Sequence, residues 1–222
     1  MLQLVTTSDG SKTIFNTEVG EHYHSKYGAL QESIHVFLNS GLKYFLDNNQ
    51  TKQISILEAG FGTGLNFLLS ADFCFSQNLQ LNYTGIEAFP LDDKLISQTG
   101  YQEYISADLW NAFLLNYPLS FNQYAEINPK CKLKTASVKL LDFQSEEKFD
   151  VIYFDAFAAI HQPEMWTDEA LDKACQYLNP GGVFVTYAIT GNLKRSMKAL
   201  GFSIEKAPGA PGKREMLRAV KL

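Results

Sequence analysis

At 222 residues, with 45% hydrophobic and 19% charged residues, the chain has the size and composition of one globular domain with a substantial core. Its longest apolar runs, such as Gly182 to Tyr187, are too short to cross a bilayer. The start Met1-Leu2-Gln3-Leu4-Val5 lacks the basic and apolar regions of a secretory signal, so a cytoplasmic location and no membrane partner are expected. Cys74, Cys131 and Cys175 form no CxxC pair, which fits a reduced compartment.

The net charge of −5 speaks against a nucleic-acid partner, but it is unevenly spread. From Lys194 onward eight cations face two acids, a net of +6, which leaves −11 on the rest. Such a tail is either a basic face for phosphates or merely a solvated helix and a charged last strand.

In chain order, Leu2 to Thr6 and Thr13 to Asn16 read as a hairpin about Ser8-Asp9-Gly10. Apolar positions from Leu30 to Leu46 recur at spacings of three and four, predicting an amphipathic helix over about 28–47, with a break near Gly41. Strands and helices then alternate. Strands are predicted at Ile54 to Glu58, Tyr83 to Glu87, Lys132 to Leu141, Asp150 to Phe154 and Val183 to Ala188. Helices are predicted at Leu65 to Phe75, from about Pro90, and at Ala107 to Leu115, Thr167 to Leu178 and Asn192 to Leu200. This alternation requires a parallel sheet covered on both faces. The last strands, Phe202 to Lys206 and Glu215 to Val220, are joined by Pro208-Gly209-Ala210-Pro211-Gly212-Lys213, too short for a helical crossover, and should pair antiparallel at the edge. No boundary interrupts the chain, so residues 1–222 are expected to form one domain, 1–50 packing as hairpin and helix on a Rossmann-like core of 51–222.

The sharpest chemical signal is Glu58-Ala59-Gly60-Phe61-Gly62-Thr63-Gly64, a strand ending in an acid, then a glycine-rich turn opening a helix that begins with Leu65 and Asn66. Glycines allow a tight turn and close ligand approach, with amides expected free to donate. A dinucleotide loop wants its third glycine one residue later and no preceding acid. A ligand carrying an ammonium and a sulfonium tolerates Glu58, which favours S-adenosylmethionine. Glu87, 23 residues after Gly64, is placed to accept hydrogen bonds from ribose hydroxyls, and Asp142 from the adenine amine. Asp155 ends the fourth predicted strand beside the switch point of the sheet. It opens the loop Asp155-Ala156-Phe157-Ala158-Ala159-Ile160-His161-Gln162-Pro163-Glu164-Met165-Trp166. A carboxylate there suits an amine-bearing planar substrate, with Phe157 and Trp166 the candidates to stack on its ring and Trp166 equally a packing residue. His161 reads as a surface residue, and the pair His22 and His24 lacks the partners of a metal site, so no metal is expected.

The stretches Glu21-His22-Tyr23-His24-Ser25, Gly28-Ala29-Leu30-Gln31-Glu32-Ser33, Glu58 to Asn66, Asp155 to Trp166 and Pro208-Gly209-Ala210-Pro211-Gly212-Lys213-Arg214-Glu215-Met216 resemble the methyltransferase family that completes 5-methylaminomethyl-2-thiouridine at the tRNA wobble position. The resemblance implies a class I S-adenosylmethionine-dependent methyltransferase fold, an α/β Rossmann-like sheet with an antiparallel last strand. It implies S-adenosylmethionine as co-substrate and the primary amine of 5-aminomethyl-(2-thio)uridine, in the anticodon loop of tRNA, as acceptor. In many bacteria this domain is fused to an FAD-dependent oxidoreductase. The present chain resembles the stand-alone form, so no flavin is expected on it and the oxidoreductase would be a separate partner. The chain departs from the family pattern at Ala159, usually proline, at Gln162, usually asparagine, and at Tyr187-Ala188, usually Tyr-Ser. The rivals are a methyltransferase for a small-molecule or protein amine and a non-catalytic S-adenosylmethionine-binding module.

Cofactor contacts are thus expected from Glu58, Gly60, Phe61, Gly62, Thr63, Gly64, Asn66, Glu87, Asp142 and Asp155. Asp155 is also the expected catalytic residue. With a carboxylate pKa near the ordinary value of about 4 it would orient the amine and stabilise the forming ammonium rather than take a proton. Lys194, Arg195, Lys213 and Arg214 are the expected phosphate contacts.

Overall fold

A computed structural model describes all residues, 1–222. The chain opens with β1 (Leu2–Thr6), β2 (Lys12–Asn16) and the two-residue β3 (Glu21–His22), a small antiparallel sheet of which the predicted hairpin is two thirds. A continuous helical rod follows as α1 (Ala29–Glu32), a wider π-helical segment (Ser33–Lys43) and α2 (Tyr44–Asn48). The expected break at Gly41 does not occur. A Cβ there would stand 2.8 Å from the Tyr153 ring and 2.9 Å from Val185, so the glycine serves close packing of the rod on the sheet rather than a turn.

The main body then runs β4 (Gln53–Ala59), α3 (Leu65–Ser76), β5 (Gln80–Ile86), α4 (Asp93–Ile96), α5 (Ala107–Asn116), β6 (Ala125–Asn128), β7 (Cys131–Ala136), β8 (Phe149–Phe154), α6 (Asp168–Cys175), β9 (Leu178–Thr186), α7 (Gly191–Ala199), β10 (Phe202–Pro208) and β11 (Glu215–Lys221). Side chains set the helix starts: the Thr167 hydroxyl accepts the Ala170 N–H at α6, and Thr190 accepts the Leu193 N–H at α7. The eight strands lie in the order β10-β11-β9-β8-β4-β5-β7-β6. β4, β5, β7, β8 and β9 are parallel, whereas β11 runs antiparallel between β9 and β10. That arrangement is the class I methyltransferase sheet. The chain passes from β4 outward to β5 and β7, then returns to β8 on the other side, leaving a crevice at the carboxyl ends of β4 and β8.

Alternate residues of each strand serve two cores. Ile56, Tyr83, Tyr153 and Val185 face the rod, α3 and α5, and Ile14 and Val36 belong to the same cluster, so the N-terminal segment shares that core. Leu57, Ile86, Ile152, Phe154 and Phe184 face α6 and α7. No helix is long and apolar enough to cross a membrane.

Two expectations are corrected. The predicted strand over 132–141 divides, because β7 stops at Ala136 and residues 140–142 form a 3-10 turn. The helix expected over Thr167 to Leu178 ends at Cys175, and the helix-stopping run Asn179-Pro180-Gly181-Gly182 lies within β9, where a register shift against β8 absorbs the proline and glycines. Gly41→Ala should lower stability by about 1–3 kcal/mol through overpacking against Tyr153 and Val185, as a fall in denaturation midpoint with unchanged m-value. An unchanged midpoint would mean that the rod is not held by this contact.

Candidate active site

The crevice holds a cavity of about 710 Å³, lined on one side by Gly60, Gly62 and Glu87 and on the other by Asp155, Phe157 and Tyr23. Strand β4 delivers the glycine turn, which is closed on itself. Gly60 and Phe61 N–H both donate to Ile86 O (3.0 and 3.1 Å), Gly64 N–H donates to Phe61 O (3.0 Å), and Gly62 N–H donates to Glu87 Oε2 (3.0 Å). The expectation of free amides therefore fails for these four. The glycines provide shape instead: Gly60 has φ 92°, and a Cβ there would lie 2.4 Å from Asp155 O.

Glu87 lines the cavity just past β5. One oxygen accepts Gly62 N–H and the other Phe89 N–H (3.0 Å), and each keeps a lone pair for a further donor. Burial raises its pKa, and those N–H groups pull the other way. Glu58 takes a different place from the one expected. It is fully buried behind the cavity, with Oε1 accepting from Asn66 Nδ2 (2.8 Å) and Oε2 from Tyr83 OH (2.7 Å). Burial and then the Asp155 charge push its pKa well up. Asn66 is itself buried and donates its amide again to Asp155 Oδ2 (2.9 Å), while its own Oδ1 has no partner. Thr63 shares a hydrogen bond with Tyr101 OH (2.9 Å), and Gly64, at φ 79°, starts α3 against Phe113. Glu58, Thr63, Gly64 and Asn66 thus support the cavity without lining it.

Asp142 is corrected on similar grounds. It lies exposed six residues beyond the end of β7, and Val138, Lys139, Leu140 and Leu141 line the cavity in its stead. Phe157 lines the cavity, edge-on to Tyr23 at 5.1 Å. Trp166 does not line it: its Nε1–H donates to Phe157 O (2.8 Å) and its ring packs on Phe154, so it braces the loop. Gln162, one of the departures, braces the same loop by accepting Phe157 N–H (3.1 Å).

Asp155 directly follows β8 and lines the cavity. Burial above all, then the Glu32 charge, raises its pKa to about 8, against the pull of Asn66 and Lys213. The ordinary carboxylate expected here is therefore replaced by one close to proton exchange at neutral pH. Sequence reading overlooked its neighbours. Burial and then the charges of Asp155, Glu21 and Glu32 push the Tyr187 phenol upward. Lys213, expected on tRNA, is turned inward onto Glu32 and lies 3.8 Å from the Tyr187 ring centroid. Arg218 pairs with Glu205, and Lys221 donates to the carbonyls of Cys175 and Leu178, so three of the eight tail cations are spent inside the fold. Arg214 and Arg195 are exposed and Lys194 is half-buried, Arg195 bonding only to Asn192.

These features have counterparts in known proteins. A family model described as S-adenosyl-L-methionine-dependent methyltransferase matches residues 105–222, more than half of the chain. The chain belongs to that family. This methyltransferase is similar to tRNA 5-methylaminomethyl-2-thiouridine biosynthesis bifunctional proteins. It is 29% identical over 217 residues to that of Magnetococcus marinus, covering 94% of this chain and 32% of the relative. It is 30% identical over 204 residues to that of Leptospira borgpetersenii, covering 88% and 31%. The chain thus spans about a third of the length of these relatives. The crystal structure of MnmC2 from Aquifex aeolicus has the same fold, with a TM-score of 0.78 at 24% identity over 99% of this chain and 70% of that one.

The donor set fits S-adenosylmethionine. Glycines without side chains floor the cavity, Glu87 keeps acceptor capacity of the kind a ribose needs, and the apolar residues Val138, Leu140 and Leu141 form a wall. Glu87→Ala should weaken S-adenosylmethionine binding about tenfold or more, as expected for a lost charged hydrogen bond, with the protein still folded. Unchanged affinity by calorimetry would misplace the nucleoside. The fold favours the neutral form of Asp155, so wild-type stability should fall as pH rises from about 4 to about 8, while Asp155→Asn escapes that loss. Between pH 5 and pH 9 the variant should gain on wild type by up to about 4 kcal/mol. A difference independent of pH in denaturation experiments would contradict the raised pKa.

Proposed function

We propose that this methyltransferase transfers a methyl group to the primary amine of 5-aminomethyl-(2-thio)uridine at the tRNA wobble position, giving 5-methylaminomethyl-(2-thio)uridine. The observation that carries the reading is the half-buried Asp155 carboxyl, opening onto the cavity, with the charge of Glu32 acting on it. That acidic pocket suits an amine, and a compound of that name is what the relatives are described as making.

S-adenosylmethionine supplies a methyl carbon bound to a positively charged sulfur. Asp155 aligns the amine lone pair with that carbon, which accounts for most of the rate in an in-line displacement. As the N–C bond forms and the S–C bond breaks, positive charge moves to the nitrogen, and the Asp155 carboxylate stabilises it there. An alkylammonium has a pKa of about 10. Asp155 titrates near 8 in the free protein, so beside the cationic cofactor and the forming ammonium it is drawn to the carboxylate that orients the amine, and the product ammonium gives up its proton to water after transfer. Phe157 and Tyr23 offer aromatic surface to a base drawn out of the anticodon loop, where unstacking costs less than in a duplex. Arg214, Lys194 and Arg195 are the cations we assign to tRNA phosphates. Where the precursor carries a carboxymethyl group on its amine, an FAD-dependent oxidoreductase activity would have to remove it first.

Incubation with labelled S-adenosylmethionine and total tRNA from cells lacking the modification should put label into the wobble uridine. Label in protein or small molecules, with none in tRNA, would overturn the reading. Asp155→Asn should keep cofactor affinity within a few-fold and lose about a hundredfold or more in single-turnover rate. A near-wild-type rate would remove Asp155 from the chemistry. Arg214→Glu should weaken tRNA binding and reduce its salt slope by about 0.7–0.9 or more. An unchanged slope would make Arg214 a solvated turn residue.

A further inference from the structure

Lys213 closes the loop between β10 and β11, and the loop's glycines have visible reasons. A Cβ on Gly209 would meet Lys213 O at 2.4 Å, and one on Gly212, at φ 86°, would meet the Tyr27 ring at 2.8 Å. With Ala210 buried, the turn aims Lys213 inward rather than to solvent. Its ammonium bonds to Glu32 Oε1, while Glu32 Oε2 accepts Ser25 N–H (3.1 Å). The same ammonium lies over the Tyr187 ring, and Tyr187 OH donates to the carbonyl oxygen of Ala156 (2.9 Å), the residue that follows Asp155. One unbroken chain of contacts therefore runs from α1 through the last hairpin to Ala156, the neighbour of Asp155 in the chain.

We propose that Glu32 and Lys213 form a positioning pair that, through Tyr187 and Ala156, fixes Asp155 and sets its charge state for the methyl-accepting amine. The inference rests on the function proposed above. It gives a purpose to two residues far apart in the chain, neither of which lines the cavity. A structural ion pair would need nothing beyond its own two partners. This one is stacked on a phenol whose hydroxyl holds the catalytic loop, and its two charges act on Asp155 in opposite senses. The other groups around Asp155 are Glu58 on β4, Asn66 on α3, Tyr83 on β5 and Tyr187 after β9, with Glu21 on β3 beyond the phenol. His161 stands 3.6 Å from Glu21, on the far side of that carboxylate, and Lys213 is the cation whose charge acts on Asp155 itself.

The test is made on the full chain with aspartate carboxyl carbons labelled for nuclear magnetic resonance, the Asp155 signal being assigned by its loss in Asp155→Asn. Glu32→Gln removes a negative neighbour and should move the Asp155 midpoint down by about one pH unit. Lys213→Met removes the positive one and should move it up by a similar amount, and Lys213→Arg should restore it. Shifts in the same direction, or none, in folded variants overturn the proposal, because a purely structural pair predicts no opposite response. Tyr187→Phe removes only one oxygen and guards against a variant that does not fold. It should lower kcat about tenfold with cofactor affinity unchanged, as misplacement of a reacting group does, and a wild-type kcat would overturn the positional half. The carboxyl titration needs no acceptor, so failure of the tRNA assay and failure of this proposal are separate results.

Discussion

Glu58 and Asp155 stand near the carboxyl ends of the neighbouring parallel strands β4 and β8, and one amide, Asn66 Nδ2, donates to both. Taking carboxylates out of water is costly unless they are hydrogen-bonded or neutralised. The fold meets that cost unevenly. Glu58 receives a second donor in Tyr83 OH and is sealed from solvent, whereas Asp155 is left with the shared amide and an open side toward the cavity. A carboxyl held this way is a standing demand for a cation or an amine. Much of the site follows from it: the glycine at 60 that lets the backbone of Asp155 come close, the loop braced by Trp166 and Gln162, and the counter-charges behind Tyr187.

The glycine loop makes the complementary point. Its amides are turned inward onto Ile86, Phe61 and Glu87, so the turn is no phosphate cradle even though its glycines would suit one. What remains for a ligand is an acid at Glu87, a smooth floor, and apolar walls. The small N-terminal sheet adds Asn16, Val19 and Tyr23 to the cavity, which makes the N-terminal segment part of the binding site as well as part of the core.

How much of this could be read from sequence depended on range. The alternation of strands and helices, the antiparallel ending and the strand-end positions of Glu87 and Asp155 follow from local patterning, and they stand. The roles of Glu58 and Lys213 did not emerge, because which way a side chain turns is decided by partners far along the chain: Asn66 and Tyr83 for one, Glu32 and Tyr187 for the other. The same holds for Asp155. Its residue type and place were legible, but its titration near 8 comes from burial and from Glu32, 123 positions away in sequence. Asp142 was misplaced for a local reason, since Val138 to Leu141 is apolar enough to pass for a strand but forms part of the cavity wall after β7 has ended.

The central claim is that Asp155 is poised for a nitrogen cation at the position of the transferred methyl group. Calorimetry tests it without any acceptor, by comparing S-adenosylhomocysteine with a cofactor analogue that carries an amine where the sulfonium methyl stands. The amine analogue should bind wild-type protein about tenfold or more tightly than S-adenosylhomocysteine, and Asp155→Asn should bring the two affinities to within about twofold, as loss of a charged hydrogen bond requires. An affinity ratio that is the same in wild type and variant would show that the half-buried carboxyl does not face the reacting position.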